Sequence, residues 1–434
     1  MDITEIYGFD NLHHAEGILL EAQQRAAALY HASETFYLVN GSTCGILAAV
    51  AAATKRGGKL LMARNCHKAA YHAALLNNLE VSYLYPAADM TRGLSGAIAP
   101  DEVERMLKKD ASLRTVLITS PTYDGVCSDV RRIAEIVHRH EGILIVDEAH
   151  GAHFGMHPYF PEHALICGAD LVINSVHKTL PSLTQTALLH VQGTRVDRER
   201  LKRFLGMYQT SSPSYVLMAG IDACVRLLLE HGPELFDTFT KRLERLRKQL
   251  FRMQTLELVR GTEPELGACD YDRSKILVAT HRSGIAGPEL SGMLRSRYQL
   301  EMEMDSEHYV TAITTVADTE EGLQRLAEAL TAIDSELERQ SGKLARPFAA
   351  WENEAVLRIG EAAEAGKKSM LLAQSEGSIS AEFVYLYPPG IPLLVPGERI
   401  SGELLEKLLQ YRANGFALEG MADYKGEEIQ VVKM

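Results

Sequence analysis

The sequence predicts an α/β protein built on a mostly parallel sheet, followed by a small α+β unit and a C-terminal α+β segment. Three observations carry that expectation. Short apolar runs without polar alternation recur between helical stretches through the first half of the chain, as in strands covered on both faces. After Pro213 the pattern changes to one long, charged helical stretch. Beyond Arg339-Gln340-Ser341-Gly342-Lys343, a polar stretch with a linker's composition, turn-rich sequence takes over. The boundaries expected from these shifts are 1–225, 226–338 and 345–434.

Residues 12–30 form an alanine-rich helical pattern that leads into the strand Phe36-Tyr37-Leu38-Val39. Leu38-Val39-Asn40-Gly41-Ser42-Thr43-Cys44-Gly45 then reads as strand, turn and helix start, with 46–53 helical. Lys59-Leu60-Leu61-Met62-Ala63 is the next strand. Helix 101–109, strand Thr115-Val116-Leu117-Ile118-Thr119, helix 130–140, strand Ile143-Leu144-Ile145-Val146 and the apolar run Leu171-Val172-Ile173 continue the alternation. The long helix covers 215 to about 253 and carries Lys241-Arg242-Leu243-Glu244-Arg245. Strand 276–280, helix 288–298 with Pro288 at a first helical position, strand 310–316 and helix 320–337 make up the second unit. In the last segment, Tyr387-Pro388-Pro389-Gly390-Ile391-Pro392 is a proline-stiffened turn, and Pro396-Gly397-Glu398 is another before a helix.

Lys178 is the most informative residue. It sits in Ser175-Val176-His177-Lys178-Thr179-Leu180-Pro181, just past an apolar strand, and the strand before it ends on Asp147 in Asp147-Glu148-Ala149-His150-Gly151. Ligands of parallel sheets lie beyond the carboxyl ends of the strands, where Ser42, His67, Asp147 and Lys178 all fall. An amine and a carboxylate on successive strand ends suggest pyridoxal phosphate. That cofactor needs a lysine to form a Schiff base with its aldehyde and a carboxylate to keep its pyridine nitrogen protonated. The segment 38–45 offers a phosphate cradle of glycines, free helix N–H groups and the Ser42 and Thr43 hydroxyls. The same small residues also open many helices with no ligand.

Two other readings of these motifs fail. Asp147-Glu148-Ala149-His150 matches the box of nucleotide-driven helicases, but no G-x-x-x-x-G-K-[ST] loop precedes it, and Gly57-Gly58-Lys59-Leu60 is the nearest approach. His150, His153 and His157 have helical spacing for a metal site, but Gly151 and Gly155 interrupt such a helix, so no metal is expected.

The chain has 434 residues, 46% hydrophobic and 24% charged, enough for two or three domains and a large core. Its net charge of −12 argues against nucleic acid or an anionic membrane as the main partner. No segment approaches the roughly 18 apolar residues of a membrane span, and Met1-Asp2-Ile3-Thr4-Glu5 lacks the features of a signal peptide, so a cytoplasmic protein is expected. The six cysteines show no C-x-x-C pair and read as free, mostly buried thiols.

Seven segments in order carry a resemblance: 38–45, Ala63-Arg64-Asn65-Cys66-His67-Lys68, Pro121-Thr122-Tyr123-Asp124-Gly125, 146–153, 175–181, Gln209-Thr210-Ser211-Ser212-Pro213 and 387–398. Across nearly the whole chain they resemble the prokaryotic ornithine/lysine/arginine decarboxylases of the aspartate-aminotransferase-like fold, especially the shorter Gram-positive type. The resemblance implies a large domain of that pyridoxal-phosphate-dependent fold. It implies that Lys178 anchors the cofactor, Asp147 pairs with the pyridine nitrogen, and His67 stacks on the ring. Ser42, Thr43, Ser175 and His177 would bind the phosphate, with His150 near the ring edge. Thr210 would reach the phosphate of a neighbouring subunit, so a homodimer is expected. Glu382, ahead of the Pro-Pro-Gly turn, is either the partner of a basic substrate's distal cation or a solvent-facing glutamate.

The implied reaction is decarboxylation of a basic amino acid, arginine or lysine before ornithine. Transamination or another reaction of the same cofactor is the enzymatic alternative. Family members usually begin with a few dozen further residues carrying a Pro-Gly-His-Lys motif close to the active site. This chain opens at the Asp2-Ile3-Thr4-Glu5 segment that normally follows, which motivates a second alternative, a cofactor-binding relic without catalysis. Nothing corresponds to the N-terminal wing of the large enterobacterial enzymes, so a dimer or a tetramer of dimers is expected.

Overall fold

The computed structural model describes residues 2–3, 6–340 and 352–433. Its centre is a seven-stranded sheet in the spatial order Glu34–Leu38, Ala187–Val191, Leu171–Asn174, Ile143–Asp147, Thr115–Thr119, Lys59–Ala63 and Glu80–Leu84. Ala187–Val191 runs antiparallel to both its neighbours, and the other pairs are parallel. The apolar runs are buried on both faces: Val116, Leu117, Ile118, Leu144, Ile145, Val146, Val172 and Ile173 are all 0% exposed.

The helix Gly41–Ala53 packs across Glu34–Leu38, Ala187–Val191, Leu171–Asn174 and Ile143–Asp147. Its run of small residues permits a close approach. A Cβ at Gly45 would stand 2.6 Å from Leu38 Cδ1 and 3.2 Å from Ile173 Cγ2, so this face has room for no side chain. The helix starts at Gly41, five residues earlier than the expected 46, which brings Ser42 and Thr43 into its first turn.

Other elements also differ from the expectation. The pattern at 12–30 divides into a short 3-10 turn, Leu12–His14, and the helix Ile18–Leu29. The Asp10 carboxylate accepts the backbone N–H groups of Asn11, Glu16, Gly17 and Leu19, and it fixes the start of that helix where periodicity alone would not. The strands Glu80–Leu84 and Ala187–Val191 and the helix Arg198–Tyr208 were not anticipated. The first of these is a half-exposed edge; the second contains His190, which is fully buried because its Nδ1 is 2.8 Å from Thr35 Oγ1.

A single 36-residue helix, Tyr215–Leu250, follows, and the boundary expected at 225/226 falls inside it. Beyond it, Glu257–Leu258, Lys275–Ala279, Tyr309–Ile313 and Met304–Asp305 form a four-stranded antiparallel sheet, accompanied by the helices Gly287–Tyr298 and Glu320–Glu336. Most of the expected linker falls on 341–351, outside the described residues. Residues 352–433 carry two short strand pairs and the helix Gly402–Ala413 around a separate apolar cluster that includes Leu372, Leu393, Leu404 and Leu408. Among the described residues, no helix is long and apolar enough to cross a membrane.

Arg64, just past the strand Lys59–Ala63, ties this last segment to the main sheet. Its guanidinium is 1% exposed and donates to Tyr71 Oη at 2.9 Å and to the Leu393 carbonyl at 3.1 Å, with Glu398 at 3.5 Å. Glu398 is itself buried, so Arg64→Ala would strand a carboxylate away from water. The expected loss is about 3–5 kcal/mol of stability in urea titration; a loss below about 1 kcal/mol would show that this pair does not hold the segment in place.

Candidate active site

A cavity of about 410 Å³ opens at the carboxyl ends of the parallel strands, within the range of small-molecule sites. Its wall brings together Ser42, Thr43, His67, Asp147, His150, His177 and Lys178, seven of the residues singled out in the sequence.

Lys178 stands on the short helix Val176–Thr179, which directly follows the strand Leu171–Asn174 and Ser175. Burial pushes its amine below the ordinary lysine value, with the charges of Asp147 and Glu303 pulling the other way. Asp147 ends the adjacent strand and is 4% exposed; its Oδ1 accepts the Ala149 N–H at 3.2 Å. Burial pushes this carboxyl up, opposed by the charge of Lys178. Such a carboxylate is relieved by a cationic N–H partner.

His67 caps the helix Lys68–Leu76. Its Nδ1 accepts the Ala69 N–H at 3.2 Å, so Nε2 carries the proton of the neutral ring. Its outer face meets the C-terminal turn, where a Cβ at Gly390 would come within 3.2 Å of the ring. Burial, then the charge of Lys178, lowers its pKa to about 3. The unfolded chain therefore takes up this proton first, near the ordinary value of about 6.5, and the stability from keeping His67 neutral is present above that pH and lost as pH falls from there toward 3. In His67→Phe, which keeps an aromatic face, the fall in melting temperature between about pH 7 and about pH 5 should be smaller than in the parent protein. An unchanged pH slope would rule out His67 as a source of the acid sensitivity.

The phosphate-cradle residues occupy the start of Gly41–Ala53. Asn40 makes no side-chain cap bond there, which leaves first-turn N–H groups to other partners. Gly41 has φ +75°, and no atom lies within 4 Å of where its Cβ would be, so backbone can meet a ligand directly. Ser175 is fully buried outside the cavity wall, and its Oγ has no partner among the described residues. His177 has Nδ1 2.8 Å from the Thr186 carbonyl oxygen, which makes Nδ1 the donor and turns Nε2 away from it. These donors, an orphaned buried hydroxyl and a buried carboxylate opposite an amine fit pyridoxal phosphate.

Besides Ser175, two expected residues lie outside the cavity wall. Thr210 is exposed and outside the cavity wall; its N–H donates to Asn40 Oδ1 at 3.1 Å, and its carbonyl accepts from His13 Nε2 at 2.9 Å. Glu382 is not in the cavity wall. Its two carboxylate oxygens accept the backbone N–H groups of Ala422 and Gln430, both at 2.8 Å.

The three histidines of the rejected metal pattern diverge. His150 reaches Lys178 and Lys275, His153 reaches Asp272, and His157 reaches Asp237. The sequence singled out neither Glu303 nor Lys275, which lies behind the cavity wall with its Nζ 2.9 Å from His150 Nδ1. Glu303 stands in the cavity wall and accepts the Tyr123 hydroxyl at 2.7 Å.

The fold matches that of solved aminotransferase-like proteins. Alanine–glyoxylate aminotransferase from Nostoc sp. superposes with a TM-score of 0.59 at 15% identity, over 73% of this chain and 86% of that one. Constitutive lysine decarboxylase of E. coli superposes with a TM-score of 0.81 at 20% identity, over 96% of this chain and 74% of that one. Residues 1–269 match the family model for the Orn/Lys/Arg decarboxylase major domain, and 354–419 match that for its C-terminal domain. The chain belongs to the Orn/Lys/Arg decarboxylase family. Arginine decarboxylase of Bacillus subtilis (strain 168) is 30% identical over 437 aligned residues, covering 100% of this chain and 89% of the relative. The lysine decarboxylase of Pseudomonas aeruginosa is 23% identical over 91% of this chain and 66% of the relative.

Proposed function

We propose that this protein is a pyridoxal-phosphate-dependent decarboxylase of a basic amino acid, with arginine preferred to lysine and both to ornithine. The observation that carries this reading is the meeting of Lys178 and Asp147 in one cavity, at the ends of adjacent parallel strands of a chain from this family. The preference for arginine rests on relatives named for arginine, which align along the whole chain at 30% identity, against 23–26% for relatives named for lysine.

In this reading, Lys178 is the covalent anchor, and burial, which lowers its pKa, eases the loss of the proton that its amine must give up to act as a nucleophile. Asp147 holds a proton on the pyridine nitrogen. His67 would lie against the ring, and Ser42, Thr43, His177 and the first N–H groups of Gly41–Ala53 would bind the phosphate, with the unpartnered Ser175 hydroxyl just outside the wall as a further donor. When bound, the cofactor supplies an electron sink for the pair left behind as carbon dioxide departs. The returning proton at the α-carbon comes from Lys178 or from His150, whose Nε2 is 3.0 Å from the lysine amine. Glu303, in the cavity wall with the Tyr123 hydroxyl holding one oxygen, is a second candidate beside Glu382 for the substrate's distal cation.

The active unit in this reading is a homodimer, supported by the exposed apolar side chains Leu183, Met207 and Val216 and by the exposed position of Thr210. Purified protein with added pyridoxal phosphate should show its highest kcat/KM on arginine, by at least about tenfold over ornithine, roughly 1.4 kcal/mol of discrimination. Formation of keto acid from these substrates would favour transamination. Bound cofactor with no turnover would favour the non-catalytic reading.

A further inference from the structure

Asn174 closes the strand that leads to Lys178, and it is 0% exposed. The neighbouring strand, Ile143–Asp147, ends on the carboxylate proposed for the pyridine nitrogen, and the paired register stops at Asp147 opposite Ile173. From there the two chains part. One enters a turn at 149–150, and the other enters the short helix Val176–Thr179 that carries Lys178.

A buried clasp joins them at the point of parting. Asn174 Nδ2 donates to the Glu148 backbone carbonyl at 2.9 Å and to Glu148 Oε2 at 3.1 Å, while Asn174 Oδ1 is 2.9 Å from His163 Nε2. A carbonyl only accepts, which fixes the amide with Nδ2 toward Glu148 and Oδ1 toward His163, so His163 presents Nε2–H. That N–H also lies 2.8 Å from Glu148 Oε2, and Glu148 Oε1 accepts the Ala164 N–H at 2.9 Å. Glu148 and His163 are 1% and 2% exposed, and none of the three side chains stands in the wall of the main cavity.

Buried polar groups are costly unless paired, so a network whose members satisfy one another holds one geometry closely. This one joins the residue after Asp147 to the strand end four residues before Lys178. The two groups share one rigid ligand in the reading above. The Lys178 amine must meet the aldehyde carbon, with water leaving, while Asp147 meets the ring nitrogen.

We propose that Asn174 is a positioning residue: with Glu148 and His163 it sets the spacing between Asp147 and Lys178 to fit the cofactor held between them. This deepens the proposed function, since it rests on Lys178 as the anchor and Asp147 as the partner of the ring.

The test compares two ligands. Pyridoxal phosphate engages both ends of the site. Pyridoxamine phosphate has an amine in place of the aldehyde, so it cannot condense with Lys178 and engages only the phosphate cradle and Asp147. In Asn174→Ala, the Kd of pyridoxal phosphate in a calorimetric titration should rise at least about tenfold, with that of pyridoxamine phosphate within about twofold of the parent. Equal weakening of both would make Asn174 a general support of the fold, and weakening of neither would leave it without this role; each result overturns the proposal. In a Lys178→Ala background, Asn174→Ala should no longer affect pyridoxal phosphate, and a persisting effect would refute the idea. Glu148→Gln keeps the side chain's size but turns its NH2 against one of the present donors. It should show the same split between the two ligands, and it carries the test alone where Asn174→Ala does not fold. Failure of the cofactor reading looks different: parent protein and Lys178→Ala would hold pyridoxal phosphate equally well, and borohydride would fix no label on Lys178.

Discussion

Replacing Lys178 by alanine is expected to reduce amine formation at least about a thousandfold, some 4 kcal/mol of barrier, and to abolish covalent retention of the cofactor. The site explains the size of the effect. Lys178 is placed by the short helix after Leu171–Asn174, within hydrogen-bond reach of His150, and its removal takes away both the anchor and one proton donor for the α-carbon. Cofactor should still bind through the phosphate contacts at Gly41–Ala53, where nothing has changed. Borohydride reduction followed by mass analysis makes the check: the parent protein should carry the added mass on Lys178, and the variant should carry none. Lys68 also lines the cavity, and Lys275 lies behind it, so reduced label found on either in the parent protein would move the anchor and sink the assignment.

Asp147→Asn should lower kcat by about a hundredfold to a thousandfold, roughly 3–4 kcal/mol, while most cofactor binding survives. The amide keeps the shape and the acceptor for the Ala149 N–H, so the fold is little disturbed. It carries no charge to balance a protonated pyridine nitrogen, and the electron sink weakens accordingly. Burial makes an ionised Asp147 unfavourable unless a cation sits against it, so carboxylate and protonated ring would stabilise one another. A melting temperature close to that of the parent, with the loss confined to kcat, is the expected pattern. A variant within about threefold of the parent rate would refute the role given to this carboxylate.

The sequence made the two ends of this pair legible for a simple reason. Ile143–Asp147 and Leu171–Asn174 are uniformly apolar until their last residue, so a polar group there had to mark the end of a buried strand. Lys275 and Glu303 were hidden because both flank short strands of the second sheet, where a charged residue ordinarily meets water. Only the packing of that sheet against the first turns Lys275 inward onto His150. The helix start at Gly41 was placed too late because glycine, serine and threonine are weak helix formers, and packing on the sheet overrides that preference. The direction of Glu382 is not legible in sequence, because two backbone N–H groups of its own segment set it.

The most direct test of decarboxylation is to give the protein and pyridoxal phosphate arginine labelled at its carboxyl carbon, and to follow the label and the product together. The expected result is label released as carbon dioxide, one equivalent for each equivalent of the corresponding amine formed, and lost in Lys178→Ala. Label retained in a keto acid, or in unchanged arginine while the cofactor is bound, would contradict it.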